Sequence, residues 1–166
     1  MVMPNTRKIP PSPADDRFIY LLFTAQQKLR NHLNTALTAS GVKVTVAQSG
    51  ILFLLKQKDG RTMTELSTIL EVDNSTLTGL ADRLERAGFI RRDANPGDRR
   101  SSNIYLQPAG LAEADKAKAV IRRVNQEVKA GFQQPDLDMF RRVLQSISMK
   151  FGRNGQLKTT NTEESP

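Results

Sequence analysis

Between Thr62 and Leu106 the chain sets two short helical stretches against a basic hairpin pattern with almost no spare residues between them, and that order leaves few folds open. In "TMTE", Thr62 and Glu65 stand at capping-box spacing, so a hydroxyl and a carboxylate cover each other's unpaired backbone N–H groups. Met63, Leu66, Ile69 and Leu70 then make a short buried face that stops before Asp73. Asp73 caps a second helix, with Leu77, Leu80 and Leu84 inward and Gly88 as terminator. Two short helices joined by the polar turn "EVDN" are a helix-turn-helix signature. Directly after them, "GFIRR" and "SNIYL" are β-rich, partly alternating runs separated by "DANPGDRRS", with Pro96 and Gly97 at the central positions of a type II turn. The pattern predicts a hairpin joined to a helix-turn-helix, which is a winged helix.

The flanks carry more helix than a winged helix needs. In "SPADD", Ser12 and Pro13 suit the N-cap and first helical position, with Asp15 and Asp16 in the first turn, and Phe18, Leu22, Leu29, Leu33 and Leu37 follow at helical spacing until Gly41. Thr45 and Gln48 form another capping-box pair before Ile51, Leu54 and Leu55, with Gly60 closing. Beyond the hairpin, Ala114, Ala117, Ile121, Val124 and Val128 step by three and four, and after Pro135 so do Leu137, Phe140, Leu144, Ile147 and Phe151. Such seams close either inside one chain or between two copies. The expected fold is mainly α, a winged helix-turn-helix with an α/β wing at about residues 45–107. Helices at about 12–40 and 108–152 form a helical dimerisation region, within one domain spanning 12–152. Phe18, Leu22, Ile121, Val124, Leu137, Phe140, Leu144 and Ile147 are the expected dimer-interface residues. Residues 1–11 and 153–166, polar and without period, read as disordered tails.

Charge and composition narrow the partner. Lys and Arg number 25 against 17 Asp and Glu, a formal net charge of +8 that favours a polyanion. No stretch approaches the roughly 18 apolar residues of a membrane span, and "MVMPNTRKIPPSP" lacks the apolar core of a secretory signal, so the expectation is a cytoplasmic protein without membrane contact. With no Cys and a single His, disulfides, thiolate nucleophiles and a histidine-rich metal site are excluded within one chain, and no metal or cofactor is expected. Neither a phosphate-binding glycine loop nor a nucleophile elbow appears, and helix initiation accounts for the Asp15–Asp16 pair, so an enzyme is not expected.

The partner that suits these features is double-stranded DNA. The outer side of the helix over 73–87 carries Ser75, Thr76, Thr78, Gly79, Asp82, Arg83 and Arg86. Small polar side chains let a helix enter a major groove closely, and hydroxyls, backbone N–H groups and guanidinium groups bond phosphates and base edges. Arg99 and Arg100 end the turn of a wing over 93–102, where an arginine can enter the narrow minor groove. Asp98 would repel phosphate unless paired, so it holds either Arg92 across the hairpin or Arg100 beside it. Taken alone, a basic hairpin also fits a solvated turn. A winged helix that coats DNA without sequence choice, or one that contacts protein, remains open beside a sequence-specific regulator.

The stretch "LSTILEVDNSTLTGLADRLERAGFIRRDANPGDRRSSNIYLQPAG" resembles the core of the MarR family of bacterial winged-helix transcriptional regulators. The resemblance rests on the helix-turn-helix, "LERAGFIRR", the Asp-x-Arg wing at Asp98 and Arg100, and Leu106 and Gly110 leading into a long helix; with the flanking helices it covers about residues 12–152. It implies a homodimer formed by the terminal helices that binds pseudo-palindromic operators and usually represses. By position, Ser75, Thr76, Thr78 and Gly79 lie at the family's major-groove contacts, Arg100 at its minor-groove arginine, and Arg92 and Asp98 at its wing-stabilising positions. Gln107 replaces a common capping threonine, which implies a looser junction, and the absence of cysteine excludes the thiol switch of one branch. Many members release DNA when a small aromatic or phenolic acid binds between the dimer helices and the winged helix. Arg30 and His32 are the candidate contacts for such an anion, against a packed or solvated histidine, while Met63, Met139 and Met149 read as core fill.

Overall fold

The computed structural model describes residues 17–95 and 98–152, giving the backbone alone at 95 and 98–101. The helix start expected at Ser12 and Pro13, the Pro96–Gly97 turn and both tails therefore lie outside the described residues. In chain order the elements are α1 (Phe18–Ala39), α2 (Val46–Gln57), β1 (Arg61–Thr62), α3 (Met63–Leu70), α4 (Asn74–Arg86), β2 (Ile90–Asn95), β3 (Asp98–Leu106), α5 (Pro108–Lys129) and α6 (Gln134–Phe151). The chain divides into two compact units, with a boundary between residues 125 and 126.

In the first unit, local capping decides where the short helices begin. Thr45 and Gln48 cap each other at the start of α2, and Asn34 Oδ1 on α1 accepts from the Val46 N–H at 3.0 Å, so α1 supplies part of the α2 cap. At α3, Glu65 accepts from the Thr62 N–H at 2.8 Å while Thr62 Oγ1 accepts from the Glu65 N–H at 3.1 Å. That backbone bond is the main reason the Glu65 carboxyl titrates below its ordinary range. The tight αL turn after α4 falls at Gly88, with φ +71°, a conformation that favours glycine.

The core of this unit joins every layer of the winged helix. Leu37 of α1, Ile51, Leu52 and Leu55 of α2, Leu66 of α3, Leu77, Ala81 and Leu84 of α4, and Ile90 and Ile104 of the sheet form one buried cluster. Ala114, Ala117 and Val120 bring α5 onto it. The sheet is antiparallel with order β1-β3-β2. Ile90 faces Leu106 and Ala94 faces Ser102, and the register then shifts between Ala94 and Asn95. Strand β1 was not foreseen. It pairs Arg61 with Ile104 and Thr62 with Asn103, and two residues are too few to show the alternation by which a strand is read.

Gly110 shows why a glycine ends the hairpin-to-helix junction. A Cβ there would lie 2.0 Å from the Phe89 carbonyl oxygen, so only glycine lets α5 pass this close to the start of β2. The same carbonyl accepts from the Gln107 N–H at 2.9 Å, and Gln107 O accepts from the Leu111 N–H at 2.9 Å. The junction is thus held through the backbone of Gln107. Farther along α5, buried Glu113 accepts from the Lys43 backbone N–H and lies 3.5 Å from Lys116 Nζ, and Lys56 pairs with Asp115 at 2.5 Å.

The expected dimer residues differ in burial. Phe18 and Leu22 are exposed on α1, within an apolar run, Phe18 to Phe23, whose six side chains are all exposed. Ile121 is half-buried. Val124, expected in the seam between copies, is 2% exposed in the single chain, so it has no surface left to offer a partner. On α5 the three-four spacing of Ala114, Ala117 and Val124 is satisfied within the chain.

In the second unit, α6 begins one residue before Pro135, with the Gln133 N–H donating to Asp136 Oδ2 at 3.3 Å. It buries none of its residues. Phe140, at 55% exposed, Val143, Met149 and Phe151 face solvent, and Leu137, Leu144 and Ile147 are half-buried.

Candidate nucleic-acid interface

Helix α4 is organised from Asp73. Its carboxylate accepts three bonds at the start of the helix: from Ser75 Oγ at 2.5 Å and the Thr76 N–H at 2.7 Å on one oxygen, and from Thr76 Oγ1 at 2.7 Å on the other. The Ser75 hydroxyl foremost, then the Thr76 N–H and hydroxyl, hold the Asp73 carboxyl well below the usual carboxylate range, so it stays ionised. Leu77, Ala81 and Leu84 turn into the core, and helical spacing consequently turns Ser75, Thr76, Thr78, Arg83 and Arg86 outward, where all five are exposed.

Gly79 lies on that outer side, half-exposed, in the middle of a thirteen-residue helix. A Cβ there would meet nothing closer than Arg83 Nη2 at 3.7 Å, an ordinary contact. Neither packing nor backbone conformation within the chain calls for glycine at this position. Arg83 folds its Nε–H back onto the Gly79 carbonyl at 2.8 Å, and Arg86 does the same to Asp82 O at 3.2 Å.

The acids of α4 are neutralised from the wing. Arg92 on β2, with a side chain 26% exposed, places Nη2 2.6 Å from Asp82 Oδ1 and Nε 3.4 Å from Glu85 Oε2. Its backbone N–H donates to Glu85 Oε1 at 3.2 Å. Arg92 therefore binds the hairpin to α4, where the sequence had made it one of two candidate partners of Asp98; the side chains of Asp98, Arg99 and Arg100 lie outside the described residues. A signal for the observed pairing was present. Asp82 and Glu85 stand in the C-terminal half of α4, where the helix dipole disfavours acids, so a cation from elsewhere was called for. On the other face of β2, Arg91 pairs with Asp93 and lies 4.6 Å over the Tyr105 ring.

The arrangement brings together Ser75, Thr76, Thr78, Gly79, Arg83 and Arg86 on one helix side and attaches Arg92 of the hairpin to it. Arg30 and His32 are exposed on α1. Among the described residues no group of His, Asp or Glu has the arrangement to hold a metal ion, and no helix is long and apolar enough to cross a membrane.

A helix with small outward residues and its own acids paired, carrying a hairpin fastened alongside by Arg92, is a winged helix-turn-helix, the class of fold that many DNA-binding regulators use. Comparison with known proteins agrees. The sequence model of the MarR family matches residues 44–102. The HTH-type transcriptional repressor Rv2887 of Mycobacterium tuberculosis is 30% identical over 135 residues, covering 81% of this chain and 96% of that protein. Among solved structures, the transcriptional repressor CouR bound to a 23-mer DNA duplex matches with a TM-score of 0.73 and 27% identity, over 79% of this chain and 92% of that one. A mutant MarR from E. coli complexed with operator DNA matches with a TM-score of 0.73 and 25% identity, over 80% of this chain and 94% of that one. The chain belongs to the MarR family, as its wing and helix-turn-helix had suggested, and it is a transcriptional regulator and not an enzyme.

Proposed function

We infer that the protein works as a homodimeric repressor that binds a pseudo-palindromic operator, with α4 in the major groove and the wing in the neighbouring minor groove. The observation that carries this reading is the pairing of Arg92 with Asp82 and Glu85. It removes the two acids that would repel phosphate from the α4 side chains and fixes the hairpin at a set angle to the helix. Ser75, Thr76, Thr78 and Gly79 form the close-approach surface, Arg83 and Arg86 supply cations towards the backbone and base edges, and Arg99 and Arg100 are the minor-groove probes.

Dimerisation is supported by apolar surface that the chain leaves uncovered. On α1 Phe18 to Phe23, and on α6 Met139, Phe140, Val143 and Phe151, are all exposed, a load of apolar surface that soluble monomers rarely leave to water. A two-fold dimer would set two copies of α4 on half-sites about one helical turn apart. Repression follows the character of Rv2887 and CouR as repressors. A small aromatic or phenolic acid that fits the half-site spacing incompatible with DNA would lower affinity by linkage, with exposed Arg30 and His32 as candidate contacts.

Selection of bound duplexes from a random pool by the purified protein at physiological salt tests the reading. Enrichment of an inverted repeat with half-sites about one turn apart is the expected outcome. Binding without enrichment would replace it with a winged helix that coats DNA through phosphate contacts alone.

A further inference from the structure

We propose that Asp73 determines which bases the first turn of α4 reads, by holding the hydroxyl protons of Ser75 and Thr76 inward so that only oxygen lone pairs face the groove. The inference rests on the major-groove placement of α4 given above. An ionised carboxylate only accepts hydrogen bonds. With Ser75 Oγ at 2.5 Å and Thr76 Oγ1 at 2.7 Å from its two oxygens, both hydroxyl protons must lie on those lines. Thr78 is placed alike: its Oγ1 donates to the Asn74 carbonyl at 2.7 Å, an acceptor with no proton to give back. Three exposed hydroxyls on the same helix side thus have their single protons committed inside the protein, and each can offer DNA only a lone pair.

That polarity selects among bases. In the major groove adenine presents its N6 amino group and cytosine its N4 amino group, whereas guanine O6 and N7, thymine O4 and all phosphate oxygens are acceptors. A hydroxyl held as an acceptor bonds the amino groups and meets the others lone pair to lone pair. Turning the Ser75 or Thr76 hydroxyl towards a base would break a charge-assisted bond to Asp73, which is stronger than the neutral bond to the base gained in exchange. The two ends of the helix then differ in kind: the first turn reads donors on adenine or cytosine, while Arg83, with donors only, reads acceptors such as those of guanine. Asp73 contacts no base in this account. It is a positioning residue whose effect reaches DNA through Ser75 and Thr76.

Asparagine at this position separates capping from polarity. It caps a helix about as well as aspartate, and its carbonyl oxygen can still accept from Ser75 Oγ and the Thr76 N–H. The amide nitrogen, standing where the second carboxylate oxygen was, donates to Thr76 Oγ1 and releases the Thr76 proton towards the groove.

The experiment is duplex selection from a random pool by the full chain as wild type, Thr76→Val and Asp73→Asn. Thr76→Val locates the symmetric pair of positions that Thr76 reads, because preference there flattens. We expect wild type to hold adenine or cytosine at that position on the strand being read, and Asp73→Asn to prefer guanine or thymine there, a reversal of roughly fivefold to tenfold in each direction. Guanine or thymine at that position in the wild type would overturn the proposal. So would an Asp73→Asn variant that binds every duplex more tightly, as loss of a negative charge allows, yet keeps the wild-type base. A Thr76→Val variant that weakens all sequences alike would make the hydroxyl a phosphate contact and overturn it too. In those three cases an enriched inverted repeat leaves the regulator reading standing, whereas no inverted repeat in any selection removes both.

Discussion

Helices α4 and α6 are written in the same periodic code and end in opposite surroundings. On α4, Leu77, Ala81 and Leu84 recur at helical spacing and all reach 0% exposure in the single chain. On α6, Leu137, Phe140, Leu144, Ile147 and Phe151 recur as regularly, and not one is buried. The difference is not in the apolar stripe but in what lies opposite it. For α4, buried residues of α1, α2, α3 and the sheet supply that cover within a compact unit. Helical periodicity reports that a face needs cover and is silent about which chain provides it.

On the closed side, Gly110 sits directly against backbone. Gly110→Ala pushes a methyl group into the Phe89 carbonyl, a backbone atom that cannot swing aside, and should cost at least about 3 kcal/mol of stability. Urea denaturation of the purified variant measures it. A loss below 1 kcal/mol would mean that α5 and the α4–β2 junction slide apart readily and that the winged helix is less tightly built than its contacts indicate.

The next effect tests the open side. Phe140→Asp places a charge on the exposed stripe of α6 and should weaken the proposed dimer by about 3 kcal/mol, while leaving the thermal midpoint of the monomer nearly unchanged. Phe140 serves better than Leu144 because Leu144 is half-buried in the single chain, and its replacement would disturb that chain's own packing. Sedimentation at several concentrations distinguishes the outcomes. A variant that remains as dimeric as wild type would show that this stripe is not the dimer seam.

How far the sequence could be read follows the same division. Capping announced itself: the Thr45, Thr62 and Asp73 starts occur where spacing put them, because a cap is a local bargain between residues two or three apart. The hairpin was equally plain, since β-rich runs flanked the Pro-Gly pair. Strand β1 escaped notice because a two-residue strand owes its existence to β3, more than forty residues away. Val124 was assigned to the wrong partner for a related reason, as nothing in a three-four pattern says whether the cover is internal. The candidate site split likewise. The outward side chains of α4 were legible from helical spacing, whereas the Arg92 bridge to Asp82 and Glu85 depends on the angle between hairpin and helix, which spacing does not encode.

Within the DNA-reading region, wing and helix are expected to fail differently. If Arg100 is the minor-groove probe proposed above, Arg100→Ala should weaken operator binding by about 1 to 3 kcal/mol with almost no change in thermal stability. Fluorescence titration against the selected operator, beside a melting curve, checks both halves. If stability falls by as much as binding does, Arg100 belongs to the scaffold of the wing and the contrast between a closed core and a surface kept for DNA loses its clearest example.

The smallest effect is the most discriminating because its two halves have opposite signs. Glycine in the interior of a helix is less stable than alanine by roughly 0.5 to 1 kcal/mol, and the space beside Gly79 accommodates a methyl group at ordinary contact distance. Gly79→Ala should therefore raise the stability of the free protein by up to about 1 kcal/mol. If α4 lies as deep in the major groove as its small residues allow, the same methyl group stands between helix and base edges, and operator affinity should drop by about 1 kcal/mol or more. A destabilised variant would reveal an internal demand for glycine that the packing around position 79 does not show. A variant both more stable and equally tight on DNA would move Gly79 off the interface and tilt α4 so that Ser75 and Thr76 approach the groove by themselves. Only the opposed outcome fits a helix whose inner side is fixed by its own chain and whose outer side is shaped by something the chain does not contain.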